Sequence, residues 1–422
     1  MKLVFICQDP FPYSGACASL IDKLLSAGLS SQGWDVYVVC AATLNHPPLN
    51  NEINNTTFIC RFWNWDGLSL KNIIKMIPVS PIVALKGCVN KLDSKIEHKK
   101  VDTFTLKKNI IGQIHKCLSA IDCGKEDILV PVAGLYETVQ AAIEWKNKMG
   151  GYVVFYQVDP CSTNYAYAQE SRDYRLSFER NVYHLADRII TTPLIYKELQ
   201  DLIHLKDLKK TKTMEFPNLV LSKLGENFTG KKKADVVNCV FSGMIYKKVR
   251  DPKYTIELFG ELQATNVVLS LVGVSKEQAE QYMPNTEICN NIKFYGYMSA
   301  ADASKVLNEA DFLVNIGNTA LNQVPSKLFL YIATGKPIIN ICVNHKCPTL
   351  RYMDKYPLSI NLFQTDDLGR QAEELAKFIR NSFGKRVPSD VLRDNFVECS
   401  AEYCANIFAE ICNSLVKEEN IK

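Results

Sequence analysis

Residues 2–40 read KLVFICQDPFPYSGACASLIDKLLSAGLSSQGWDVYVVC. Lys2–Cys7 is a short, continuously apolar run closed by the turn residues Asp9, Pro10 and Pro12. That is the pattern of a strand buried on both faces of a parallel sheet. Apolar residues then recur at helical spacing (Leu20, Ile21, Leu24, Leu25, Leu29), predicting a helix over Ala18–Ser31 that Gly33 stops. Asp35–Cys40 is the next strand. Strand, helix and strand in this order predict a βαβ unit with a right-handed crossover.

The same beat runs outward along the chain. Strands are predicted at Asp127–Val132 and Tyr152–Gln157, helices over Glu137–Lys148 and Tyr174–Ala186, and a further strand in ADRIITT. A second series begins after Lys231-Lys232-Lys233, with strand Val236–Ser242 and a helix opening near Asp251-Pro252. There Asp suits the cap and Pro the first helical position. Strands Asn266–Gly273, Asn291–Gly296, Ala310–Ile316 and Pro337–Cys342 follow, interleaved with a helix opened by Ser299 and a helix Pro325–Thr334. The predicted class is α/β with two doubly wound domains, residues 1–220 and 221–398. A last helix within 399–422 is expected to pack back on the first domain.

Composition narrows the function classes. The 422 residues carry 49 basic and 45 acidic side chains, a net charge of +4, so no overall field marks a nucleic-acid coater. Fifteen cysteines are an odd number scattered from Cys7 to Cys412, many inside apolar runs such as VYVVC (Cys40), VNCVF (Cys239) and IINIC (Cys342). Small buried thiols in a reducing cytoplasm, rather than a disulfide framework, are expected. Cys342, His345 and Cys347 group together, but without a second CxxC pair no metal site is expected. Met1-Lys2 leads straight into LVFIC, too short for a signal peptide. The weakly charged stretch 76–86 is broken by Pro78 and Pro81, well short of the roughly 20 residues that span a bilayer. The expected location is cytoplasmic, peripheral at most. Residues 61–110 break the beat. Phe62, Trp63, Trp65, Leu70, Ile73, Ile74 and Ile77, followed by a basic run from Lys91 to Lys108, read either as a helical excursion or as an amphipathic surface for an anionic membrane.

In open parallel sheets, ligands bind beyond the carboxyl ends of the strands. Three loops there carry candidate chemistry. After Phe241-Ser242, Gly243 leads into Lys247, Lys248 and Arg250 before a helix N-terminus. Cations oppose the helix dipole at that position, so their presence points either to an anion such as a diphosphate or to a solvated basic loop. After strand Ala310–Ile316, Gly317, Asn318, Asn322 and Gln323 precede a helix whose first turn holds Ser326 and Lys327. Amides there suit sugar or base edges, or cap the loop itself. After Tyr152–Gln157, Asp159 is either a substrate-facing carboxylate or a turn residue before Pro160.

These residues resemble a family. The Lys-Lys-x-Arg-Asp-Pro loop, the Asn-Ile-Gly-Asn segment at 315–318 and Pro-Ser-Lys-Leu-Phe-x-Tyr-x-x-Thr-Gly-Lys-Pro at 325–337 look like nucleotide-sugar-dependent glycosyltransferases of the GT-B fold. The retaining, group 1 branch that builds bacterial surface polysaccharides is the nearest pattern. The opening stretch, ADRIITT and Phe216-Pro217-Asn218 are similar to it too. The resemblance implies two Rossmann-like domains facing a central cleft, acceptor on the N-terminal side and nucleotide-sugar donor on the C-terminal side. It implies that Gly243, Lys247, Lys248, Arg250, Gly317, Asn318, Asn322, Gln323, Ser326 and Lys327 hold the donor, with Gly15 approaching its phosphates. Tyr13 and Ser14 would contact a saccharide or lipid-linked acceptor, and Asp159 would serve acceptor contact or acid/base work. No cofactor or metal is expected, since no Asp-x-Asp pair is present to hold Mg²⁺, and no nucleic-acid partner.

Leu330 stands where relatives carry a Glu, and the alternative reading is therefore a non-catalytic GT-B subunit that binds a partner glycosyltransferase or a saccharide. A sugar-nucleotide epimerase of the same fold would want a richer set of cleft carboxylates and histidines. An NAD dehydrogenase is disfavoured because no G-x-G-x-x-G follows any predicted strand.

Overall fold

The computed structural model describes residues 1–12, 15–42, 52–54, 57–62, 106–133, 136–164, 171–219, 236–245, 249–282 and 289–419. The chain divides into two compact units: Met1–Pro217 together with Ala401–Lys422, and Asn218–Ser400.

The first unit is built on β1 (Lys2–Ile6), β2 (Asp35–Ala41), β3 (Glu52–Asn54), β4 (Thr57–Phe62), β5 (Ile128–Ala133), β6 (Tyr152–Gln157), β7 (Arg188–Thr191) and β8 (Thr211–Thr213), in sheet order β3-β4-β2-β1-β5-β6-β7-β8. Every pairing is parallel except β3 with β4. The central strands are buried on both faces because helices cover both. One layer contains α2 (Lys108–Ala120), α3 (Tyr136–Met149) and α4 (Arg172–Leu185). The other contains α1 (Ala16–Ser26) and the C-terminal helix of the chain, whose Phe408 stacks on Phe5 of β1 with ring centroids 5.5 Å apart. Short helices α5 (Pro193–Leu199) and α6 (Leu205–Leu208) complete this part of the unit.

Two expectations change here. The helix predicted over Ala18–Ser31 is interrupted at Gly28, which takes φ +101°, and resumes as a single 3₁₀ turn at Leu29–Ser31. Phe62, assigned above to the segment that breaks the beat, closes the buried strand β4 beside Arg61, and both side chains are about 1% exposed. At the other end of that segment Ile110, Ile111 and Ile114 of α2 sit in the core. The intervening Trp63, Trp65, Leu70, Ile73, Ile74, Ile77 and the basic run from Lys91 lie outside the described residues.

The second unit carries β9 (Val237–Ser242), β10 (Val267–Val272), β11 (Ile292–Gly296), β12 (Phe312–Ile316), β13 (Ile338–Cys342) and β14 (Ser359–Phe363), all parallel, in order β11-β10-β9-β12-β13-β14. Counted within the unit this is 3-2-1-4-5-6, the order of a dinucleotide-binding Rossmann sheet, whose winding reverses between its first and fourth strands. Helices α7 (Lys253–Gly260), α8 (Lys276–Glu280), α9 (Ala300–Glu309), α10 (Lys327–Ala333), α11 (Leu350–Met353), α12 (Leu368–Ser382) and α13 (Ser389–Phe396) connect the strands, and α14 (Ala401–Glu419) is the C-terminal helix already placed on the first unit.

Two buried polar devices hold the second unit. Asn315, Asn340 and Asn361 occupy matched positions on β12, β13 and β14 and hydrogen-bond in series at 2.8 Å each. Lys336, 4% exposed, donates from Nζ to the carbonyls of Leu307, Asn308 and Ala310 at 2.7–2.8 Å. An ammonium at the C-terminus of α9 supplies donors to the carbonyls of the last turn, one of which (Leu307) also accepts from the Ala310 N–H, and meets the negative end of the helix dipole. Among the described residues no helix is long and apolar enough to cross a membrane.

Candidate functional site

The reversal of winding between β9 and β12 leaves a crevice at their carboxyl ends, and the loops leaving these strands bring cations together there. Ser242, the last residue of β9, is the anchor. Its N–H donates to Tyr331 Oη at 2.9 Å, Tyr331 Oη donates back to its carbonyl at 3.3 Å, and Lys327 Nζ donates to Ser242 Oγ at 2.9 Å. Lys327 and Tyr331 are four residues apart on α10, so one helix face reaches the strand end twice. Burial pushes the Tyr331 phenol up to about 12, so it stays protonated and able to donate.

Arg250 arrives from the loop after β9. Its Nε and Nη2 both donate to Asn318 Oδ1, at 3.1 and 2.7 Å, and Nη1 reaches the Met244 carbonyl at 3.4 Å. The loop after β12 is tied to it through the backbone, Thr319 N–H donating to Val249 O at 2.9 Å. Asn318 is buried, and its neutral oxygen aims the guanidinium. Although Lys327 as a residue is exposed, its ammonium end turns inward. Loss of hydration and the nearby Arg250 charge hold it below the usual lysine range. Two cations thus share one space, each braced by a neutral hydroxyl or amide.

The crevice floor is glycine for a steric reason. Gly273 follows β10 at φ +89°, and a Cβ there would stand 2.6 Å from the Gly243 carbonyl oxygen. Gly317 is likewise packed in, with a Cβ position 3.0 Å from Cys347 Sγ. Of the other residues singled out, Asn322 and Gln323 are half-buried in the loop before α10. Ser326 is the helix cap by position, yet its side chain makes no capping bond. Leu330 is 50% exposed. Lys247 and Lys248 lie outside the described residues, as do Tyr13 and Ser14. The helix expected from Asp251-Pro252 starts one residue later. Pro252 is its cap, and Asp251 Oδ1 accepts from the Lys253 N–H at 2.8 Å.

In the first unit, Gly15 lies against Asp9. It sits at φ +106° before α1, and a Cβ on it would fall 2.1 Å from Asp9 Cγ. Asp9 Oδ2 accepts from the N–H groups of Cys17 (2.7 Å) and Ala18 (3.3 Å). The close approach that glycine allows is used by the chain's own carboxylate, which already neutralises the helix N-terminus. A donor phosphate approaching Gly15 would meet that carboxylate.

Asp159, half-buried, follows β6 in a loop that is clamped from below. Glu179 of α4 accepts from Gln157 Nε2 (2.6 Å), Cys161 N (2.7 Å), Ser162 N (3.2 Å) and Ser162 Oγ (2.5 Å). One turn earlier, Arg175 donates to the carbonyls of Cys161 (2.6 Å) and Asn164 (3.3 Å). Both charges are about 1% exposed. Cys17 is raised by burial first and then by Asp9 and Asp159, so both carboxylates act on the same thiol at this end of the sheet.

Sequence reasoning missed Asp9, Arg175, Glu179, Ser242 and Tyr331. The first carried a signal, an Asp before a glycine-led helix, the chemistry of a cap. His345 pairs with Asp366 at 3.1 Å and stacks on Phe363 with ring centroids 3.9 Å apart. No group of three metal-ligating side chains occurs among the described residues.

No family model matches the sequence, and no curated protein matches it. Solved structures do. Sucrose-phosphate synthase from Thermosynechococcus elongatus superposes with a TM-score of 0.67 at 13% identity, covering 99% of each chain. TarM gives 0.59 at 11%, covering 98% of each. The catalytic domain of starch synthase IV from Arabidopsis thaliana, bound to ADP and acarbose, gives 0.58 at 9%, covering 99% of each. The chain therefore has the α/β architecture of GT-B glycosyltransferases along its whole length.

Proposed function

We propose that this chain is a glycosyltransferase that takes a sugar from a nucleotide diphosphate donor held by its second unit. The observation that carries the reading is the Arg250–Lys327 pair at the Rossmann crevice, two neighbouring cations aimed by Asn318 and Ser242. A diphosphate bound there would relieve their mutual repulsion, and as the glycosidic bond breaks its growing charge would meet donors already in place. Preorganised donors of this kind contribute roughly 3 kcal/mol each to transition-state stabilisation. Lys247 and Lys248 belong to the same basic loop and would add to its potential. With side-chain cations supplying the positive charge, the reaction is proposed to need no metal. Retention of configuration follows from the resemblance to the group 1 branch. The starch synthase neighbour supports a nucleotide donor, since it is bound to ADP and to the saccharide acarbose.

The first unit supports the acceptor side. Asp9 and Asp159 make its strand ends anionic, which suits a hydroxyl-bearing saccharide better than a phosphorylated one. Asp159 would contact the acceptor hydroxyl, carried by a free or lipid-linked glycan in the assembly of surface polysaccharide, on the cytoplasmic side of a membrane.

A thermal-shift panel of UDP, GDP, ADP and CDP, alone and as their sugars, tests the reading on wild type and Lys327→Ala. A nucleotide present at 100 times its dissociation constant stabilises by about 2.7 kcal/mol. One nucleotide should raise Tm in wild type and much less in the variant. If none moves it, the proposal fails. With a donor in hand, radiolabel transfer to soluble and lipid-linked glycans should be lost in Asp159→Asn while donor affinity is retained.

A further inference from the structure

The crevice opens where β9 and β12 part, and the hydrogen bonds along that seam can be followed residue by residue. The two strands are in register at Cys239–Phe312 and Val240–Leu313, and the ladder between them ends there. Successive residues of a strand direct their backbone groups to opposite neighbours. Gly243 N–H goes to Val272 O of β10, so Ser242 presents its N–H and carbonyl to the β12 side. Ser242 is buried, so both groups need a partner beyond the end of the ladder. One atom serves them. Tyr331 Oη accepts from the N–H at 2.9 Å and donates to the carbonyl at 3.3 Å. The Tyr331 ring is fixed in a core with Val240, Leu313, Leu328 and Ile332, so the hydroxyl is delivered from a rigid base.

This contact reaches the cation site through one residue. The same Ser242 supplies, from Oγ, the acceptor for Lys327 Nζ at 2.9 Å. A side chain as short as serine has little reach of its own, so the place of Oγ follows the backbone that Tyr331 holds. Burial and the Arg250 charge keep the Lys327 ammonium below the usual lysine range, so it turns to water when that acceptor moves. Helix α10 therefore grips the strand end with one side chain and projects a cation across it with another.

We propose that Tyr331 is a positioning residue for the diphosphate: its hydroxyl replaces the ladder bonds that end before Ser242 and thereby fixes the oxygen that aims Lys327. The identity of the ligand rests on the diphosphate reading given above, whereas the hold on Ser242 and Lys327 does not.

The test compares the full chain with Tyr331→Phe, which keeps the ring in its core and removes only the hydroxyl. Hydrogen exchange at the Ser242 amide should speed up at least about tenfold, as expected when a buried donor loses its acceptor, with the Val240 amide unchanged. The Lys327 ammonium, followed by NMR, should titrate closer to the ordinary lysine range. Affinity for inorganic diphosphate, by isothermal titration, should fall about tenfold, within the range for residues of one hydrogen-bonded network. Combined with Lys327→Ala, the Tyr331→Phe change should weaken binding no further than Lys327→Ala alone, because no ammonium is left to position. Losses that multiply mark a hydroxyl that serves only the fold and overturn the proposal. An unchanged Ser242 amide or an unchanged Lys327 titration overturns it too. Ser242→Ala is the second variant: it should reproduce the diphosphate loss while the amide at position 242 stays protected, and wild-type affinity there would also refute the positioning. If Lys327→Ala binds diphosphate as tightly as wild type, the anion-site reading falls separately, and the Lys327 titration still decides the positioning.

Discussion

Asn318→Asp separates charge from shape at the cation site. The two residues are nearly isosteric, so the oxygen that accepts from Arg250 Nε at 3.1 Å and Nη2 at 2.7 Å stays in place. Only its charge changes. At neutral pH a carboxylate beside an obligate guanidinium is ionised, and a neutral hydrogen bond becomes a charge-assisted pair. Folding should be unimpaired or improved. Binding should suffer, because an incoming diphosphate now competes with a resident anion for Arg250. A hydrogen bond to a charged group is worth about 1.5–3 kcal/mol, so losing it weakens affinity by about 10- to 150-fold. The new carboxylate also cancels part of the Arg250 field that depresses Lys327, so Lys327 should move back toward the ordinary lysine range. Isothermal titration with UDP, ADP and inorganic diphosphate, alongside urea denaturation, reads both effects. A variant that keeps wild-type stability and wild-type diphosphate affinity would refute the assignment of Arg250 to the anion.

Lys336→Met removes the ammonium that serves three carbonyls at the end of α9 and should cost about 2–4 kcal/mol in urea denaturation, the loss expected from stranding buried acceptors. Gly273→Ala should lose at least about 2 kcal/mol, since backbone strain at φ +89° adds to the collision with Gly243 O; nucleotide affinity should fall with it. Glu179 gives a pH signature. Burial lifts its carboxyl above the ordinary 4.5, so the folded state binds more protons than the unfolded between 4.5 and the folded value. Its contribution to stability therefore declines as pH rises through that window and is level above it. The Tm difference between wild type and Glu179→Gln should fall across the window, and a pH-independent difference would dismiss the idea.

The parallel strands were readable because burial on both faces leaves a continuous apolar run. Tyr152–Gln157 matches β6 to the residue, and Val236–Ser242 misses β9 by one. Strand β4 was obscured by Arg61, a charged residue buried at its end, and by the aromatic run into which Phe62 leads. The cations Arg250 and Lys327 were visible from their position before helices, where they oppose a dipole. Their supports were not. Arg175 and Glu179, four apart on α4, look like a solvated ion pair, whereas each is spent on the backbone of the loop bearing Asp159. Sequence spacing shows which residues share a face but not whether water lies on it. Asp9 was read only as a turn residue: its capping chemistry was visible, but eight positions separate it from the Cys17 N–H that it accepts from, well beyond the usual cap spacing.

The asparagine series across β12, β13 and β14 bears on more than cohesion. Parallel valine- and isoleucine-rich strands slide past one another at little cost, since each apolar residue resembles the next. A slip of β13 by one position would set Asn315 against Ile339 or Ile341 and leave buried amides unanswered. The three amides act as an index mark that admits one alignment during assembly. That alignment sets the height at which every later residue emerges, and so the level at which Asn318 meets Arg250. Replacing all three with valine would keep the apolar core while erasing the mark.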